Sequence, residues 1–199
     1  VSRQSIKATG FCNGGPRRRY LRPGPSCSRL WWAFSLLSGK STGTDVVNLN
    51  LPETLKWEDH KLHLLDQRVL PHQQTYLTIE TMQDAWQAIN TLAVRGAPAI
   101  GVAAGFALTQ AMFSNPNPSQ QELERIAKYL KSARPTAVNL SWALDRVVKS
   151  WAESPSTETL EREALAIYHE DLAICQNIGK HGADLIQPNQ GVLTHCNAG

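Results

Sequence analysis

The sequence has no uninterrupted apolar stretch near the ~18 residues that a membrane-spanning helix requires, and its best segment, residues 30–37, is interrupted by Ser35. It therefore reads as a soluble protein with no membrane partner. Cysteine is scarce. Four residues, Cys12, Cys27, Cys175 and Cys196, allow three disulfide pairings but show no metal-finger spacing. Reduced thiols in a cytoplasmic protein without a metal centre are expected. Acid is nearly missing from the first 48 residues, which hold eight basic side chains and only Asp45 on the other side, a local charge of +7. With a formal charge of +3 overall, the rest carries −4. A basic head on a mildly acidic body does not make a nucleic-acid binder.

What is present supports a folded chain: 199 residues, 42% hydrophobic and 19% charged, enough to bury a core. Residues 1–48 stand apart. Their Gly, Pro, Ser and Arg clusters, such as Gly14-Gly15-Pro16 and Pro23-Gly24-Pro25, sustain no helical or strand period and predict disorder. An organelle transit peptide, a secretory signal and an upstream extension or translated non-coding stretch are all readings of this head. Gly39-Lys40-Ser41 is not a phosphate-binding loop, because the required earlier glycine falls at Phe34.

From Leu51 the pattern changes. Lys56-Trp57-Glu58 and Lys61-Leu62-His63-Leu64-Leu65-Asp66 flank a turn at Asp59-His60 and predict a hairpin, with a further extended piece over residues 75–79. Thr81 with Asp84 predicts a capped helix presenting Met82, Ala85, Trp86, Ile89 and Leu92 on one face. Pro98 marks the start of a slim buried helix running to Met112, with Gly101, Ala104 and Gly105 for close packing. Ser119 and Glu122 predict a capping box for a helix with Leu123, Ile126, Ala127 and Leu130 inward. Arg134-Pro135 is expected to open the next, carrying Leu140, Leu144, Val147 and Trp151. A last helix from Thr157 carries Leu160, Ala164, Ile167, Ile174, Ile178 and Leu185. The turn Gln187-Pro188-Asn189-Gln190 then precedes Gly191 to Cys196, which reads as a buried strand opening a β-α unit of a doubly wound domain.

Arg95 and Gly96 stand just ahead of a helix whose first N–H groups lack intrahelical partners, and a glycine lets a ligand approach the backbone. Together they form a candidate phosphate cradle. Arg134 stands in a similar relation to its own helix, and the two could clamp one phosphate. Spacing alone favours the plainer reading of two surface arginines near capped helix ends. Cys196, at the carboxyl end of the expected strand, is a candidate acid, base or nucleophile, or else an inert buried thiol. His195 alternates to the opposite strand face and reads as structural. Cys175 reads as core, and His181 as ordering a helix end.

Three strings occur in series: Val94-Arg95-Gly96-Ala97-Pro98-Ala99-Ile100-Gly101, Arg134-Pro135-Thr136-Ala137-Val138-Asn139-Leu140 and Thr194-His195-Cys196-Asn197-Ala198-Gly199. With Leu64-Leu65-Asp66-Gln67 and the Trp142-Ala143-Leu144-Asp145-Arg146 helix, the region from about Leu55 to Gly199 resembles the methylthioribose-1-phosphate isomerase family. The resemblance implies an α/β fold in three parts. Residues 1–48 are a disordered or non-homologous extension, residues 49–188 form a small antiparallel sheet with a mainly helical domain, and residues 189–199 begin a Rossmann-like doubly wound domain that is cut off.

The resemblance also implies an aldose–ketose isomerase of methionine salvage, acting on a sugar phosphate without metal or organic cofactor and forming a homodimer when complete. It assigns substrate binding to Arg95, Gly96, Ala97 and Arg134, and a catalytic-site role to Cys196. It places the family's catalytic aspartate in the absent domain, so this chain alone is expected to have little or no activity. A ribose-1,5-bisphosphate isomerase shares the architecture, although Ala97-Pro98-Ala99-Ile100 favours the methylthio sugar. Non-catalytic regulatory subunits of the translation-initiation guanine-nucleotide exchange factor resemble the same fold, and retention of Cys196 argues for the enzyme.

Overall fold

A computed structural model describes residues 52–193; the basic head and Thr194–Gly199, including His195 and Cys196, lie outside the described residues. Three short strands, β1 (Leu55–Glu58), β2 (Lys61–Leu65) and β3 (Tyr76–Thr78), form an antiparallel sheet in the order β1-β2-β3. The β1–β2 hairpin closes with Glu58 opposite Lys61. Asp59 and His60 both take positive φ, 50° and 58°, the two-residue turn whose twist matches that of the flanking strands. On β2, Leu62 and Leu64 face the core and Lys61 and His63 face outward.

Five helices follow: α1 (Met82–Asn90), α2 (Ala97–Phe113), α3 (Gln120–Lys131), α4 (Val138–Glu153) and α5 (Thr157–Ala183). The helix α2 is the hub, packing against all four others and against β1 and β2. It is apolar on every side, as an enclosed helix must be, and buries an unbroken run from Ile100 to Gln110. Gln110 sits inside the core with both ends of its amide used. Its Oε1 accepts from the Leu62 N–H at 2.8 Å and its Nε2 donates to the Ile79 carbonyl at 2.6 Å. A buried amide is tolerated because it is fully satisfied. Trp57 stacks on Phe106 at 4.9 Å and donates through Nε1 to Glu161, tying the hairpin to α2 and α5.

The predicted inner faces of α1, α3 and α4 are observed, with corrections at their ends. Leu92 lies beyond α1 and is exposed, in left-handed backbone with φ 60°. At α3, Ser119 accepts from the Glu122 N–H, but the Glu122 side chain pairs with Arg125 instead of closing the box. Pro135 does not open α4. It occupies the second position of a tight turn closed by the Ala137 N–H on the Arg134 carbonyl at 3.0 Å, where its fixed φ is equally suited, and the helix begins at Val138.

The last helix departs most. Leu160, Ala164 and Ile167 are buried as expected, but Ile174, Ile178 and Leu185 are 57%, 66% and 79% exposed, and Cys175 is exposed rather than core. Among the described residues no element covers the apolar side chains of the later turns. His181 is also exposed. Residues 191–193 are not in a strand; the remainder of the strand expected there falls outside the described residues.

Two glycines of α2 give a sharp contrast. A Cβ added at Gly101 would lie 2.7 Å from the Asn139 carbonyl oxygen, a backbone atom that cannot swing away, whereas one at Gly105 would meet Val147 at an ordinary 3.7 Å. Gly101→Ala should therefore lose about 1–3 kcal/mol by overpacking, while Gly105→Ala should gain up to about 1 kcal/mol from helix propensity. Urea unfolding of the two variants should move in opposite directions.

Candidate functional site

The N-terminal ends of α2 and α4 lie side by side. Gly101, in the second turn of α2, rests against Asn139 and Ala143 in the first turns of α4. A second tie joins the segments ahead of them: Asn90, at the end of α1, donates from Nδ2 to the Ala133 carbonyl at 3.0 Å. Thus Arg95-Gly96-Ala97 and Arg134, far apart in sequence, belong to neighbouring segments.

These two helix starts differ from the others. Thr81, Ser119 and Ser156 each accept a backbone N–H at the starts of α1, α3 and α5. Gly96 and Ala137, at the caps of α2 and α4, provide no side-chain acceptor. Their first-turn amides retain hydrogen-bonding capacity and the positive end of the helix dipole. Gly96 has φ 98°, a conformation that a side chain would strain.

The arginines differ from their fellows in the same way. Arg68, Arg125 and Arg146 are engaged by carboxylates, and Arg162 donates to the Thr159 hydroxyl. Arg134 is half-buried, and its guanidinium has no hydrogen-bond or ion-pair partner among the described residues. Arg95 is exposed, its one contact being a long 3.4 Å bond from Nε to the Leu92 carbonyl. Ala97, Pro98, Pro135 and Thr136 are exposed too, so this surface is open. Two clefts lie elsewhere, one beside Met82, Ala111 and Arg125, the other beside Trp86, Asn90 and Tyr129, and neither is lined by Arg95 or Arg134. Among the described residues no group of three His, Cys, Asp or Glu side chains is placed to hold a metal.

Next to this surface is a pair that sequence reasoning did not single out. Asp66, just past β2, is buried and accepts from Arg68 Nε at 2.8 Å and Nη2 at 2.7 Å, as well as from the Arg68 backbone N–H at 3.0 Å. The Arg68 side chain holds the Asp66 carboxyl below its ordinary range against the opposing effect of burial. The Arg68 amide and charge, and the nearby positive charge of Arg95, act in the same direction. The Asp-x-Arg spacing was available in the sequence as a signal for this fork.

The model of the initiation factor 2 subunit family matches residues 93–199, just over half of the chain and a span that includes both helix starts. The chain belongs to that family. Within the initiation factor 2 subunit family, a methylthioribose-1-phosphate isomerase of Geobacillus kaustophilus is 42% identical over 157 residues, 75% of this chain and 44% of the relative. A 5-deoxyribose 1-phosphate isomerase of Moorella thermoacetica is 43% identical over 155 residues, 73% of this chain and 44% of the relative.

Among solved structures, the 5-methylthioribose 1-phosphate isomerase of Pyrococcus horikoshii superposes with TM-score 0.63 at 33% identity, covering 69% of this chain and 41% of that one. The translation initiation factor eIF-2B subunit delta of A. fulgidus does so with TM-score 0.61 at 30% identity, covering 69% and 42%. The chain thus spans less than half the length of these relatives, and its α/β fold with a small antiparallel sheet and a helical bundle is that of the initiation factor 2 subunit family.

Because the Asp66 carboxyl titrates lower in the folded chain than in the unfolded one, its stabilisation is complete above the unfolded value of ~3.9 and is lost as pH falls through the folded value. Asp66→Asn should cost roughly 1–2 kcal/mol at pH 7, the partial exposure of Arg68 keeping the figure modest. Thermal midpoints of wild type and variant should converge as pH is lowered through that window; a gap independent of pH would contradict the pairing.

Proposed function

We propose that this chain holds the phosphate of a pentose 1-phosphate for an aldose–ketose isomerase, the substrate being 5-methylthioribose 1-phosphate and the product 5-methylthioribulose 1-phosphate. The observation that carries the reading is the coincidence of two features. The starts of α2 and α4 lie side by side without side-chain caps, and each is preceded by an arginine that forms no ion pair with a carboxylate among the described residues. Uncapped amides, dipole ends and guanidinium groups are the groups that bind a phosphate dianion. Relatives named as isomerases of sugar 1-phosphates, about 40% identical across this region, support the same assignment.

In this reading Arg95, Gly96, Ala97 and Arg134 bind the phosphate. A sugar esterified at its anomeric oxygen does not open its ring spontaneously. The ring bond from C1 to the ring oxygen must break, that oxygen and C1 each gaining a hydrogen while C2 and its hydroxyl each give one up, leaving a ketone at C2. Such transfers call for placed acid and base groups, typically contributing ~10²–10⁴-fold. Cys196 is the proposed catalytic-site thiol, and the carboxylate partner is proposed to lie in residues beyond those of this chain. The assembled enzyme is proposed to be a cytoplasmic homodimer.

The Moorella relative favours a second substrate, 5-deoxyribose 1-phosphate, which shares the ring and phosphate and differs only at C5. The likeness to the eIF-2B subunit favours a non-catalytic module, which would convert neither sugar. The test uses the 199-residue chain for binding and the chain continued to its relatives' length for turnover, each with both sugars. Binding of methylthioribose 1-phosphate should weaken roughly 10- to 100-fold in Arg134→Ala, as loss of a charge-assisted contact predicts. Unchanged affinity removes Arg134 from the site, and conversion of neither sugar by the longer protein overturns the enzyme reading.

A further inference from the structure

We infer that Asp66 and Arg68 are positioning residues of the phosphate site, forming a latch that fixes the segment leading into Arg95 and Gly96. The inference rests on the reading just proposed. The segment between α1 and α2, residues 91–96, has little regular structure of its own, yet it must present Arg95 and Gly96 in one arrangement. It is held from the loop after β2 at two points. Arg68 Nη1 donates to Thr91 Oγ1 at 2.9 Å, and the Gln67 backbone N–H donates to the Ala93 carbonyl at 2.9 Å. Ala93 and Val94 are fully buried, so the segment is anchored immediately before the exposed Arg95.

The Asp66 carboxylate makes this possible by using the other edge of the same guanidinium. With Nε and Nη2 both bound to Asp66, the planar group has a single orientation, and its remaining nitrogen reaches Thr91. Asp66 also accepts from the Arg68 backbone N–H, which fixes the turn containing Gln67. A lysine at position 68 keeps the charge but not the fork. The pair has an electrostatic part as well, for a carboxylate among Arg68 and Arg95 offsets the crowding of two cations beside an anion site.

A latch that acts through Arg95 makes a distinctive prediction about coupling. Methylthioribose 1-phosphate is titrated into the 199-residue chain by NMR, which reads weak as well as tight affinities. Arg68→Ala should weaken binding on the order of tenfold in the wild-type background and hardly at all in Arg95→Ala, because the group being positioned is already gone. Arg68→Lys should restore only part of the loss. Thr91→Val, an exposed change that removes the acceptor and leaves the Asp66–Arg68 pair, should weaken binding in the same direction by a smaller factor, and it keeps the test decisive should Arg68→Ala fail to fold.

Equal losses from Arg68→Ala in both backgrounds would make Arg68 a merely structural residue and overturn the inference. So would wild-type affinity in both Arg68→Ala and Thr91→Val. If Arg95→Ala and Arg134→Ala abolish binding while these variants do not, the latch alone is refuted. If the wild-type chain binds no sugar phosphate, the site reading fails and the latch with it.

Discussion

The contact between Gly101 and the Asn139 carbonyl is the constraint on which the candidate site depends. Only a helix without a side chain at that point can bring its backbone so near another, and the place of closest approach falls within the opening turns of both helices. The result is that two uncapped helix starts share one surface. Without this close approach each start would stand alone, and a single helix start is a weak anion site. Burial of α2 on all sides makes the crossing rigid, since every neighbouring element packs against it.

Charge is distributed around this crossing to the same end. Where helix starts need only stability, the chain supplies a hydroxyl cap, as at Thr81, Ser119 and Ser156. At the neighbouring starts of α2 and α4 it supplies no cap and adds arginines. The unsatisfied groups at one end of the bundle are a modest cost in stability, offset by the hydroxyl caps and by the fully used amide of Gln110 elsewhere.

Much of this was legible in the residues because it is locally encoded. Asp59-His60 between alternating strands gives the hairpin, Thr81 with Asp84 gives a complete capping box, and Pro98 marks the second position of α2. The strings around Arg95 and Arg134 pointed to the phosphate surface. What was not legible depends on tertiary context. Pro135 suits a tight turn as well as a helix start, and only the hydrogen bond from Ala137 to Arg134 decides between them. Ile174 and Ile178 keep the helical spacing of a buried face, but spacing cannot report that no described element extends alongside them. The Asp-x-Arg spacing can suggest the Asp66–Arg68 fork, but nothing so local reports that the Arg68 guanidinium also reaches Thr91.

The uneven packing of α5 has a dynamic consequence. Its first turns are sealed into the bundle through Leu160, Ala164 and Ile167, and ion pairs from Arg146 to Glu163 and Glu170 extend that hold a little further. Beyond them, among the described residues, only the helix's own ladder of bonds protects its amides. Backbone protons near Leu160 will trade with deuterated solvent only when the whole bundle opens, whereas those near Ile178 will do so through local fraying. A single continuous helix therefore spans two regimes of protection, with the boundary where its neighbours stop.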